Sequence, residues 1–188
     1  MDATEVAAAL ARARQGDSEA FRMLIERHSR RAFQLAYRMT GNEQDAEDVV
    51  QESFIRAYRQ LGRFEARAHF GTWLHRIVAN CSVDLIRSRR VRYDHTSTDA
   101  LEAADQPDSG APNPERLAAS AQIQRTVAAA MSDLSPLERA AFTLRHYEGR
   151  SIAEIGKTLG LGTSATKHSV FRAVRKLRAA LEALRSES

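Results

Sequence analysis

The stretch SIAEIGKTLGLGTSATKHSVFRAVRKLRAAL, residues 151–181, carries two helices and the turn between them. Ser151 and Glu154 have the spacing of a capping box, which fixes where the first helix starts. Ile152, Ile155 and Leu159 give that helix one apolar face, and Gly160-Leu161-Gly162 supplies a tight turn with left-handed backbone available at glycine. Thr163 or Ser164 can cap the second helix, and Gly156, with almost no side chain, suits a close approach of the two. In the second helix Thr166, Val170, Ala173, Leu177 and Leu181 fall on a narrow inward arc. Ser164, His168, Phe171, Arg172, Arg175 and Arg178 fall opposite. No acidic residue occurs from Thr163 through Leu181, whereas Lys167, Arg172, Arg175, Lys176 and Arg178 are basic.

This pattern predicts a helix-turn-helix whose second helix enters a major groove. Its N-terminal residues meet base edges and its later arginines meet phosphates. A solvated basic face on an ordinary helical hairpin is the competing reading. Caps, turn glycines, buried periodicity and one-sided charge coincide, and together they favour DNA. Phe171 either touches a thymine methyl or folds onto a neighbouring helix.

Working outward, the remaining signal is also helical, with no alternating strand pattern between turn residues. Ser135-Pro136 starts a helix carrying Leu137, Ala141, Leu144 and Arg145. From Glu115 a seven-residue rhythm places Leu117, Ala121, Gln124, Ala128 and Met131 together. Nearer the N-terminus, Asp17 or Ser18 caps a helix with Phe21, Leu24, His28, Ala32, Leu35 and Met39 on one face. Thr40-Gly41-Asn42 breaks it, and Asn42 caps a second helix burying Ala46, Val50, Phe54, Ala57 and Leu61, with Gly62 as its stop. A third runs from about His69 to Arg87 and buries Phe70, Leu74, Ile77, Cys81 and Leu85.

Between these blocks, residues 91–114 lose the pattern and hold Pro107, Pro112 and Pro114. Helix does not persist through such prolines, and too few apolar groups remain to offset chain ordering. The expected architecture is all-α: a domain over 1–90, a flexible acidic, proline-containing linker over 91–114, and a domain over 115–188 ending in the helix-turn-helix. The 188 residues suit two small domains, each with a modest core.

Residues 1–90 carry 15 basic and 12 acidic side chains, the linker 1 and 5, and residues 115–188 carry 12 and 7. Two mildly basic blocks therefore flank an acidic joint, a weak pointer to nucleic acid. The single Cys81 forms no intrachain disulfide, and no metal-spaced cluster, phosphate loop or nucleophile elbow occurs. No cofactor, metal or enzymatic activity is expected. The N-terminus lacks a signal-peptide core and no apolar run is long enough to span a bilayer, so the expected location is the cytoplasm.

Two further surfaces stand out. Opposite the buried face of the helix over 43–61, Asp48, Gln51, Glu52 and Ile55 form a stripe bordered by Glu47. An apolar residue among acids suits docking of a basic protein partner, although a solvated acidic face has the same composition. In the next helix Trp73, Arg76 and Asn80 share a flank, and the segment Gly62–His69 before it includes Arg63, Phe64 and Arg67. Stacking, charge and base-edge hydrogen bonds are the chemistry that holds single-stranded DNA. Trp73 on its own is more often core than platform.

The segments GDSEAFRMLIERH, GNEQDAEDVVQESFIRAYR and FGTWLHRIVANCSVDLIRSRR resemble region 2 of extracytoplasmic-function sigma factors. LSPLERAAFTLRHYEGRSIAEIGKTLGLG with the basic helix after it resembles their region 4. The resemblance covers about residues 5–90 and 115–184. It implies a factor that directs RNA polymerase core to promoters, with Glu47, Asp48, Gln51, Glu52 and Ile55 docking on the clamp helices of the largest subunit. It implies that Arg63, Phe64, Arg67, Trp73, Arg76 and Asn80 open and read the −10 box. Ser164, Ala165, Lys167, His168, Phe171, Arg172 and Arg175 would read the −35 box. An anti-sigma factor is a further partner of such proteins. One stretch departs from the pattern: where the family has a valine-glycine-threonine-valine-lysine run, this chain has Thr163-Ser164-Ala165-Thr166-Lys167, and its −35 preference cannot be borrowed.

The linker's 24 residues reach about 80 Å when extended. As a free coil they would average about 25–30 Å. Boxes two duplex turns apart need about 70 Å, so a scaffold must hold the domains apart, and the acidic linker would lie in a basic channel of the polymerase. The competing function is a free-standing helix-turn-helix regulator, which would have no use for the stripe over 47–55.

Overall fold

A computed structural model describes residues 3–64, 69–95 and 114–186, and every described element is helical. The chain divides into two compact units, Met1–Leu85 and Ile86–Ser188.

In the first unit, α1 (Ala3–Arg14) has no counterpart in the expectations from sequence. Its apolar stripe is made mostly of alanine: Ala9, Leu10 and Ala13 are buried. Asp17 then caps α2 (Ser18–Thr40), accepting from the Ala20 amide at 3.0 Å and from Arg12 Nε at 2.8 Å, so the end of α1 and the start of α2 share one carboxylate. α2 buries Leu24, Leu35 and Met39 and stops at Gly41, whose φ of 73° lets its amide return to Tyr37 O at 2.7 Å. Asn42 caps α3 (Glu43–Gln60), accepting from the Asp45 amide at 2.9 Å. Of the expected inward residues, Ala46, Phe54, Ala57 and Leu61 are buried, whereas Val50 is half-buried and its neighbour Val49 is buried in its place. A 3-10 turn, Leu61–Arg63, follows, and Gly62 lies inside it.

α4 runs from Phe70 to His95. Phe70, Leu74, Val78, Cys81 and Val83 are buried while Leu85 is half-buried, so the helix sheds its core role toward its end. Its helical backbone continues beyond Val91, since no proline stands before Pro107 to stop it. The rest of the expected linker, with Asp99, Glu102, Asp105 and Asp108, lies outside the described residues.

The second unit holds α5 (Pro114–Ser132), α6 (Pro136–Phe142), a wide π turn (Thr143–Tyr147), α7 (Ile152–Leu159) and α8 (Thr163–Ser186). Ala130, Met131 and Leu134 pack on Ala173 and Leu177, with Val127, Phe142 and Ala180 around them. The seven-residue rhythm expected in α5 is corrected in part: Met131 is buried, but Gln124 and Ala128 are exposed, and Val127 and Ala130 pack beside Met131, with Leu134 just after the helix. Of the consecutive Ala128, Ala129 and Ala130 only Ala130 is buried, so alanine spacing does not mark the packed face.

Glu138 joins two helices. Its carboxylate accepts from the Ser135 amide at 3.0 Å, completing a capping box at the start of α6. Lys176 Nζ reaches it at 2.8 Å and Arg172 Nε at 3.4 Å, both from α8. Burial alone would raise its pKa, but Lys176 and the Ser135 amide outweigh that and hold it below the ordinary carboxylate range. A depressed folded pKa stabilises the fold above the ordinary value of 4.5, and that contribution is lost as pH falls through the folded value. We expect Glu138→Gln to cost about 1–3 kcal/mol at pH 7. In thermal melts the gap from wild type should then narrow below pH 4.5, and a gap constant with pH would contradict the ion-pair account.

Candidate nucleic-acid and protein interfaces

The helix-turn-helix is held by backbone geometry at three glycines. Ser151 and Glu154 form a reciprocal capping box at 2.8 and 3.2 Å, which starts α7. Gly160 takes φ 66° and returns its amide to Gly156 O, which also accepts from the Leu161 amide at 2.8 Å. A Cβ on Gly156 would stand 2.7 Å from Leu161 O and 3.1 Å from Thr166 Oγ1. The glycine therefore admits the turn's own carbonyl as well as α8. Gly162 O accepts the first helical bond of α8, from the Thr166 amide at 3.0 Å, and Thr166 Oγ1 donates to the same oxygen. The cap position is thus Gly162, and Thr163 and Ser164, expected as caps, lie within the helix.

α8 buries Thr166, Ser169, Ala173 and Leu177. Leu181, expected inward, is 38% exposed. Ser164, Ala165, Lys167, His168, Phe171, Arg172 and Arg175 are all exposed on the other side. Phe171 is 63% exposed, so its ring does not fold onto a neighbouring helix. Arg172 and Lys176 share the Glu138 carboxylate, so part of their charge is answered within the unit, while the guanidinium of Arg172 stays half open to solvent. The face presents five cations and no acid up to Leu181, a field that attracts a polyanion.

In the first unit, Glu47, Asp48 and Gln51 are exposed on α3 and Ile55 is 39% exposed beside them. Glu52 differs from the others. Its carboxylate lies 2.6 Å from Arg56, whose guanidinium also reaches Asp84 of α4 at 3.0 Å. The hydrogen bond to Glu52, then that to Asp84, raises the pKa of Arg56. Asp84 of α4 is therefore tied across to α3. Beside the acidic stripe lies an open apolar groove of about 940 Å³ between α2 and α3, lined by Phe21, Ile25, Phe33, Phe54, Ile55 and Tyr58. Its α2 wall was missed in the sequence. Ile25 and Phe33 lie off the core stripe of α2, eight residues apart, and that spacing was the available signal.

Around the turn after α3, Arg63 is exposed, Trp73 and Asn80 are half-buried, and Arg76 is exposed. Arg67 lies outside the described residues. Phe64 departs from the expectation of a base-facing ring: it is 3% exposed, with its centroid 4.9 Å from Trp73 and 6.0 Å from Phe70. Phe64, Phe70 and Trp73 thus form one aromatic cluster, and burial in it favours the inward position of the Phe64 ring. Arg14 of α1 adds a contact that the sequence did not announce, donating to Gly62 O at 3.4 Å.

Among the described residues no group of His, Cys, Asp and Glu could hold a metal ion, and no helix is long and apolar enough to cross a membrane.

Comparison with known proteins bears on both units. The family model described as Sigma-70 region 2 matches residues 24–92, and that described as Sigma-70, region 4 matches residues 124–177. The chain is 31% identical over 175 residues to ECF RNA polymerase sigma factor SigW of Bacillus subtilis, covering 91% of this chain and 94% of that one. It is 36% identical over 156 residues to ECF RNA polymerase sigma factor SigE of Mycolicibacterium smegmatis, covering 82% of this chain but only 59% of that protein. A solved structure of CnrH in complex with the cytosolic domain of CnrY superposes with a TM-score of 0.62 at 29% identity, covering 93% of this chain and 96% of the other.

Proposed function

The chain belongs to the extracytoplasmic-function group of the sigma-70 family, and from that premise we propose how its surfaces divide the work of starting transcription. It directs RNA polymerase core to specific promoters, and the reading as a free-standing regulator is set aside. The observation that carries the division is the contrast between two exposed helix faces in one chain. α3 offers acids around an apolar groove, and α8 offers cations without an acid. A polyanion and a protein partner are thereby addressed by different units.

In this reading, Glu47, Asp48, Gln51 and Ile55 dock on the clamp helices of the largest polymerase subunit, and Glu52 joins them from its place against Arg56. Arg63, Arg67, Trp73, Arg76 and Asn80 open and read the −10 box, with Phe64 buried against Phe70 and Trp73. Ser164, Ala165, Lys167, His168 and Phe171 face bases of the −35 box, and Arg172 and Arg175 face bases and phosphates. The segments 1–90 and 115–188 act as separate domains joined by a linker over 91–114, which lies in a basic channel of the polymerase. The chain itself catalyses nothing; the polymerase does. Its place is the cytoplasm, where the polymerase works. An anti-sigma factor is a natural partner, a reading supported by the likeness to CnrH, solved with the cytosolic domain of CnrY.

Arg172→Ala tests the division. Transcription from a −35-dependent promoter should fall about tenfold, the loss of one good base or phosphate contact, with core affinity unchanged. Lys176→Ala removes the other α8 cation at Glu138 and serves as the control for tethering. Parallel loss of core binding and −35 dependence in Arg172→Ala would contradict the division.

A further inference from the structure

The segment assigned above to −10 reading enters at Phe64 and leaves at Phe70, and both ends are held by rings. Phe64 and Phe70 meet at 6.0 Å, and Trp73 touches both, at 4.9 and 5.7 Å. A fourth ring comes from another helix. His28 of α2 lies 5.3 Å from Phe70, tilted by 58°. It also fills the space beside Gly71, where an added Cβ would stand 3.2 Å from His28 Cε1 and 3.5 Å from Nδ1. The residue after Phe70 is thus shaped to the imidazole.

We propose that His28 is a positioning residue for promoter opening: its ring, wedged from α2 under Phe70 and Gly71, fixes where α4 begins and so where the −10 loop ends. The inference rests on the −10 reading given above.

The chemistry of the site favours a ring used for its shape. His28 Nε2 is buried and has no hydrogen-bond partner among the described residues, so no bond exploits that nitrogen's polarity. Burial first, and then the neighbouring charges of Arg27 and Arg31, push its pKa below the ordinary value of 6.5 and favour the neutral imidazole. A neutral aromatic wedge is rigid, with only two side-chain torsions to lose. Rigidity matters here because a reading surface displaced by about 1 Å loses much of its effect. Arg14, donating to Gly62 O, steadies the other end of the same segment.

The test uses the full chain with core polymerase and a duplex promoter carrying a fluorescent base analogue in the −10 box. His28→Ala removes the wedge, and Gly71→Val displaces it from the opposite side. Each should slow −10 opening about tenfold. Affinity for core should stay within about twofold, because the docking face on α3 is untouched. His28→Phe should open the promoter like wild type, since it restores a ring without a titrating nitrogen. A merely structural role would lower core affinity and opening together, and that result overturns the proposal. So does normal opening by His28→Ala, or a Phe variant as defective as the Ala one. Arg76→Ala and Trp73→Ala separate the two levels: if both open the promoter normally, the −10 reading fails. If they are defective while His28→Ala is not, only the positioning role of His28 falls.

Discussion

Gly156→Ala is expected to destabilise the helix-turn-helix by about 2 kcal/mol and to weaken −35 recognition while core binding persists. A methyl group there would stand 2.7 Å from Leu161 O, closer than carbon and oxygen approach without bonding. The turn cannot simply retreat. The Leu161 amide is bonded to Gly156 O at 2.8 Å, and Thr166 Oγ1, the other neighbour at 3.1 Å, is itself bonded to Gly162 O. Overpacking of this kind costs about 3 kcal/mol. Alanine is the better helix former by about 1 kcal/mol, which leaves a net loss near 2 kcal/mol. For a small domain that corresponds to a melting temperature lower by roughly 10 °C or more. Gly162→Ala is the control for crowding: nothing lies within 4 Å of its added Cβ, so its cost should be only that of alanine for glycine at a helix cap, under about 1 kcal/mol. Calorimetry on the full chain would read both. An unchanged melting profile in Gly156→Ala would mean that the turn is not held as described.

Asp48→Ala combined with Gln51→Ala is expected to weaken core polymerase binding by about 10–100-fold. Both side chains are exposed, so folding should change by no more than about 0.5 kcal/mol. The effect should be larger at low salt, because part of it is attraction between an acidic face and a basic partner. Titration of labelled chain into core at two ionic strengths measures both claims. Wild-type affinity in the double variant would remove α3 as the docking face.

These two cases also show which features were legible before the fold was seen. The helix-turn-helix was readable because each of its devices is local: a capping box four residues long, turn glycines, and one helix with a clean division of charge. The importance of Gly156 was foreseen as close helix approach, but the partner is the Leu161 carbonyl, which only the folded turn brings there. α1 was missed because its buried stripe, Ala9, Leu10 and Ala13, contains a single large side chain and gives periodicity little to register.

Long-range pairings were the least visible. Nothing local in the sequence around Glu138 says that Arg172 and Lys176 return to it. Arg56 bridging Glu52 and Asp84 is likewise a product of how α3 and α4 pack. Phe64 was assigned to a loop by its neighbours, whereas its ring follows the aromatic residues beyond the loop. Exposure on a helix face is thus readable from spacing alone. A role that depends on a second element is not.

Purified chain, core polymerase and a genomic promoter library, combined in run-off transcription, give the most direct measurement. We expect defined start sites only when chain and core are both present, and near-nonspecific affinity for the same duplexes from the chain alone. Tight, sequence-specific binding by the chain without polymerase, together with no change in the start sites used by core, would contradict the account.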